Sequence, residues 1–156
     1  MKSAIASVWN DLLMVAVPSR HPLLAHKRIP LEELLRYPLV LCDQQACEGH
    51  ARQVELVLRR VDMEPLVAER VVSCDLMMAL VSAGFASGIT GAAHIAASRE
   101  QGVVARPLVD RPPMLTTYLL RLDSESSETL ARFIERVQAI ESPEDTEPIP
   151  DDDPAA

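Results

Sequence analysis

Six consecutive apolar residues, Leu12-Leu13-Met14-Val15-Ala16-Val17, end at Pro18. A short apolar run rich in strand formers and closed by proline predicts a buried strand, since proline has no N–H for a sheet ladder. The rest of the chain must supply elements to cover it. Residues 31–36 predict a short helix begun by Pro30, because proline suits the first turn of a helix. Tyr37-Pro38 ends that helix, and residues 39–42 form a second short apolar strand. Residues 46–61 predict a helix, with Ala51, Val54, Val57, Leu58 and Val61 spaced by three and four on one face and Arg52, Glu55, Arg59 and Arg60 on the other.

The alternation then repeats. Residues 66–72 read as a strand, 75–83 as an apolar helix ended by Gly84, 87–90 as a strand between glycines, and 92–98 as a small helix. Residues 103–109 and 115–122 add two more strands. Ser124 is expected to cap a last helix, with Glu125 and Glu128 at its positive end and Leu130, Phe133, Ile134, Val137 and Ile140 on its face. Strands alternating with helices predict an α/β fold, a mainly parallel sheet flanked by helices.

Charge divides the chain in two. Residues 141–156 hold seven acidic residues and no Lys or Arg. The remaining 140 residues carry 16 acidic against 15 basic groups, a near-neutral body. The expected organisation is a folded part over 1–140 and an acidic, disordered tail over 141–156. A neutral body offers no field to draw in a phosphate backbone. Aromatics make up only 3% of the chain, which argues against a nucleic-acid platform built on stacking. Three cysteines without framework spacing read as reduced thiols of a cytoplasmic protein. The N-terminal segment is a poor signal peptide, and no uncharged apolar run reaches membrane-spanning length.

In parallel α/β sheets, ligands bind beyond the carboxyl ends of the strands, where helix N-termini present N–H groups and positive dipole ends. Three loops meet that description: 43–49, 73–75 and 90–92. Helix capping alone also accounts for Ser73 and Asp75 individually. The three loops together at one sheet edge point to a binding site.

Several motifs carry a resemblance. Trp9-x-Asp11 precedes the first strand. It is followed by Val17-Pro18-x-x-His21-Pro22-Leu23, then Leu31-Glu32-Glu33-Leu34-x-x-Tyr37-Pro38-Leu39-Val40, then Val81-x-Ala83-Gly84-x-x-x-Gly88-Ile89. Val104-x-x-Pro107-Leu108, Tyr118-Leu119-Leu120-Arg121 and Leu130-x-x-Phe133-Ile134 complete the series. In this order and spacing the chain resembles the effector-binding domain of LysR-type transcriptional regulators, roughly over residues 9–140. The resemblance implies a type 2 periplasmic-binding-protein-like fold of two lobes, with a small effector in the cleft. This chain would supply the second lobe and the closing strand and helix of the first. The helix-turn-helix of such a regulator, and the first half of its sensor, are expected to lie outside it.

By the same resemblance the effector-binding residues are Asp43, Gln44, Gln45, Ala46, Ser73, Cys74, Thr90 and Gly91. The implied ligand is a small effector; the helix N-termini suit an anionic one best, and a second copy or a full-length regulator is the expected protein partner. No direct DNA binding by this chain, no membrane association, no cofactor, no metal and no catalysis are expected. Two alternatives remain: an interaction protein that pairs with a full-length regulator or with itself, and an enzyme using Cys47 at a helix N-terminus. Cys42-x4-Cys47-x2-His50 hints at a metal site, but no fourth partner stands at a suitable spacing. Cys42, ending an apolar strand, reads as a core residue.

Overall fold

The computed structural model describes residues 3–109, 111, 113–122 and 127–140. The chain divides into two compact units, one spanning Leu12–Leu115 and the other drawn from Met1–Asp11 and Thr116–Ala156. The strands are β1 (Ser3–Pro18), β2 (Leu39–Cys42), β3 (Val67–Val71), β4 (Ser87–Gly91), β5 (Val103–Arg106) and β6 (Met114–Leu122). The α-helices are α1 (Leu31–Leu34), α2 (Glu48–Leu58), α3 (Cys74–Ser82), α4 (Ala92–Ala97) and α5 (Glu128–Ala139). A 3-10 turn at Pro22–Ala25 follows β1.

The sheet order is β3-β2-β4-β1-β5, and β6 also pairs with β1. β2 runs parallel to both β3 and β4, whereas β1 is antiparallel to β4 and β5. The α/β expectation holds, and the sheet is mixed rather than dominated by parallel pairs. β1 is what mixes it: Leu13 lies opposite Gly91 and Ala16 opposite Gly88, so the two strands run in opposite directions and their pairing begins at the carboxyl end of β4.

Within the Leu12–Leu115 unit the central strands feed two cores, one on each face. Leu13, Val15 and Val17 of β1, Leu39 and Leu41 of β2, and Ile89 of β4 pack with Leu34, Val54, Val57 and Leu58 from α1 and α2. The alternate residues Ala16, Val40 and Cys42 pack on the other side with Val71 and with Met77, Met78 and Val81 of α3. This is the period-two alternation of strands whose two faces are both covered. The apolar face predicted for α2 is the one buried, with Ala51, Val54, Val57 and Leu58 inside.

Three local features set the helix ends. Ser73 caps α3, its Oγ accepting from the Leu76 N–H at 3.2 Å. After α3 the chain reverses at Gly84, whose φ of +78° suits a residue without a Cβ. Pro30 sits at the N-cap of α1, just before the first helical residue.

The smaller unit differs from expectation in two places. β1 begins at Ser3, nine residues before the apolar run, and Thr116 of β6 donates its hydroxyl to Asn10 Oδ1 of β1 at 2.8 Å. The cap of α5 is Ser127, whose Oγ accepts from Leu130 N–H, in place of Ser124. Ser124 and Glu125 lie outside the described residues, as does the acidic stretch 141–156. Leu130, Phe133 and Ile140 are exposed. No helix among the described residues is long and apolar enough to cross a membrane.

Two glycines test this packing. A Cβ on Gly88 would lie 2.6 Å from Met77 Sδ and 2.8 Å from its Cγ, and Met77 is fully buried. Gly88→Ala should therefore destabilise the protein by about 1–3 kcal/mol through overpacking. Gly84→Ala meets no atom within 4 Å and should cost roughly 1–2 kcal/mol through its backbone angle alone. Urea unfolding should show both as lower midpoints at unchanged slope.

Candidate functional site

The chain leaves β2 at Cys42, passes to α2, returns along β3, passes to α3 and returns along β4. Because β3 and β4 flank β2 on opposite sides, the connections diverge at β2. A sheet of this kind opens a crevice at the carboxyl ends of the strands where that divergence occurs. The three predicted loops occupy those ends.

The β2 loop is folded on its own carboxylate. Asp43 Oδ1 accepts from the N–H groups of Gln45 and Ala46, both at 2.9 Å. These two hydrogen bonds, the Ala46 one first, hold the Asp43 carboxyl below the usual range, and Arg70 adds to the effect. The N–H of Asp43 is tied to the β3 carbonyl of Val71 at 2.8 Å. Gln44, Gln45 and Ala46 are exposed, with Gln44 reaching Glu55 at 3.5 Å. The Gln45 and Ala46 N–H groups are thus engaged within the loop.

The β3 and β4 loops meet. Thr90, almost completely buried, donates its hydroxyl to Cys74 Sγ at 3.6 Å. Gly91, also buried, is the N-cap of the six-residue α4. Ser73 engages Leu76 as the cap of α3. Of the eight predicted residues, Cys74 and Thr90 are in direct contact, and Asp43, Ser73 and Gly91 hold the loop backbones.

The sequence expectation did not include the group that gathers beneath these loops. Cys42 Sγ lies 3.7 Å from Cys74 Sγ. His50, from the first turn of α2, brings a ring nitrogen close enough that the three ligand atoms all lie within 4.8 Å of one another. Cys47 instead donates its thiol to the Val72 carbonyl at 3.3 Å. Spacing along the chain links Cys42, Cys47 and His50; the fold substitutes Cys74, which comes from a different strand–helix junction. Hydrogen bonding from Cys42, with Thr90 and the nearby His50 and His94 in support, brings the Cys74 thiol down to about 5, while the Cys42 thiol is pushed up. Burial lowers the His50 imidazole. His94 Nε2 stands 3.3 Å from Asp75 Oδ1.

A cavity of about 540 Å³ lies to one side of these loops, between α2 and the β3 edge. Of the eight predicted residues it is lined only by Gln44, and its lining also includes Cys42, Glu55, Arg59, Asp62, Glu64 and Arg70.

The profile of the LysR substrate binding domain matches residues 4–140. The HTH-type transcriptional regulator YnfL of Escherichia coli K12, itself uncharacterised, is 29% identical over 84 residues. That stretch covers 54% of this chain and 28% of YnfL, so the chain spans a little over a quarter of the curated relative it matches. The CcmR regulatory domain of Synechocystis PCC6803, solved in complex with 2-PG, superposes with a TM-score of 0.76 at 15% identity, covering 90% of this chain and 67% of that one. The effector-binding domain of QuiR in complex with shikimate gives 0.71 at 15% identity, covering 87% and 63%. At such identities these two likenesses establish the fold. With the profile match over most of its length, the chain belongs to the LysR substrate-binding domain family, as the effector-binding domain of a LysR-type regulator.

Proposed function

We propose that this domain senses a small anionic effector in the cytoplasm, without catalysis, through the loops that carry Asp43, Gln44, Gln45, Ala46, Ser73, Cys74, Thr90 and Gly91. The observation that carries the reading is the position of these loops at the carboxyl ends of three parallel strands, β2 and its two neighbours β3 and β4. The eleven-residue α2 and nine-residue α3 both start there and direct their positive dipole ends to the same crevice. The CcmR domain was solved with 2-PG and the QuiR domain with shikimate, which supports a small-molecule ligand here too. Residues 1–140 form the sensing body in this reading. With 16 acidic and 15 basic groups, that body contributes no phosphate-attracting field of its own.

A second reading rests on a separate observation. Leu120 and Leu122 of β6, Leu130 and Phe133 of α5, and Ile140 at the end of that helix are all exposed. Apolar surface left in water costs about 25 cal/mol per Å² relative to burial. We propose that a second copy of this chain, or a full-length regulator, covers these residues.

Isothermal titration calorimetry against a panel of small carboxylates and phosphate esters tests the first reading. At least one should bind. Ala46→Glu places a carboxylate on an exposed loop position, so the fold should tolerate it. A like charge about 6 Å from the ligand, at an effective dielectric of roughly 40, opposes binding by about 1.4 kcal/mol, or tenfold. Binding of no anion in the panel, or equal affinity in the variant, would reject the anionic-effector reading. For the second reading, light scattering should report a dimer or larger species at micromolar concentration. A monomer that persists on concentration would reject it.

A further inference from the structure

We propose that Cys42, His50 and Cys74 form a zinc-binding site on the floor of the crevice. The site goes beyond the effector reading and does not depend on it.

The geometry is that of a tetrahedral corner. Zinc–sulfur bonds of about 2.3 Å at tetrahedral angles place two thiolate ligands about 3.8 Å apart. The Cys42 and Cys74 sulfurs are 3.7 Å apart. All three ligand atoms lie within 4.8 Å of one another, against a tetrahedral N–S edge of about 3.5 Å, so a side-chain movement of about 1 Å closes the set. Two thiols and an imidazole are the ligand types that select a borderline-soft ion over calcium or magnesium, which take oxygen.

The surroundings favour occupancy. Both ring nitrogens of His50 are shielded from solvent and have no hydrogen-bond partner. An unpaired buried polar group destabilises the fold, and coordination through one nitrogen removes one of the two. The sulfur of Cys42 is fixed by the core: its strand is buried between two layers and its side chain packs with Val71, Met77 and Ala51. Cys74 is held from the other side by the Thr90 hydroxyl. Ligands on three elements, β2, α2 and α3, are thus positioned by packing before any ion arrives. Binding takes both sulfurs as thiolates and the imidazole as neutral, any remaining thiol proton passing to solvent, with no change of oxidation state. Three protein ligands leave a fourth position for water or for an anion held by the loops above.

The full chain, reduced and stripped with chelator, should be titrated with Zn²⁺ and, as a spectroscopic probe, with Co²⁺, in the absence of any effector. One ion should bind per chain, and Co²⁺ should show a thiolate charge-transfer band with tetrahedral ligand-field absorption. Cys74→Ser and His50→Gln should each weaken binding at least tenfold, whereas His26→Gln, outside the cluster, should leave it unchanged. A measurement on the unaltered protein guards against misfolded variants: Zn²⁺ should protect Cys74, the partly exposed and more acidic thiol, from alkylation, read by mass spectrometry. Sub-stoichiometric binding, a cobalt spectrum without the thiolate band, undiminished affinity in either variant, or equal alkylation with and without Zn²⁺ would overturn the proposal. Since no effector is present, these outcomes are independent of whether any anion binds.

Discussion

Two-sided burial of β1, β2 and β4 is the constraint on which the rest of the structure depends. Val15 and Val17 enter one core and Ala16 the other; Leu39 and Leu41 enter one, Val40 and Cys42 the other. A strand with apolar side chains on both faces requires a covering layer on each side, because apolar surface left in water is unfavourable. α2 and α3 meet that requirement from opposite faces. Their placement fixes where β2, β3 and β4 end and where the next helices begin. The crevice is a consequence of that arrangement.

Core packing and the candidate site meet at the same residues. Cys42 is part of a core cluster and also touches Cys74 at the crevice floor. Thr90 is buried within β4 yet holds Cys74. Gly88 gives Met77 the room to pack, and Met77 lies on the helix that begins with Cys74. A site built on strand ends and first helical turns inherits the rigidity of the sheet, whereas one built on long loops does not.

Much of the fold was legible from residue pattern. The apolar run at 39–42 became β2 with the same bounds, and the three- and four-residue spacing of Ala51, Val54, Val57 and Leu58 marked the buried face of α2. Gly84 and Ser73 acted as helix punctuation in the positions assigned to them. The missing pieces have physical reasons. Residues 3–11 lack a continuous apolar run, and their strand character comes from pairing with β6, a contact more than a hundred residues away in sequence. Ser127 rather than Ser124 caps α5 because several serines compete there, and local pattern cannot rank them. The mixed sheet was hidden because strand direction depends on which neighbours pair, and the apolar content of β1 is the same either way.

The candidate site divides along the same line. Sequence alone determined that three strand-to-helix junctions exist and that they carry Asp43, Ser73, Cys74 and Thr90, because short apolar runs and capping residues act over a few positions. Only the tertiary structure decided that Cys74 stands against Cys42 and Thr90, that His50 reaches this pair, and that Cys47 turns instead to the Val72 carbonyl. Chain spacing groups Cys42 with Cys47 and His50, but the parallel pairing of β2 with β3 and β4 brings the start of α3 to the end of β2. Such pairing joins residues about thirty positions apart, and no local periodicity records it.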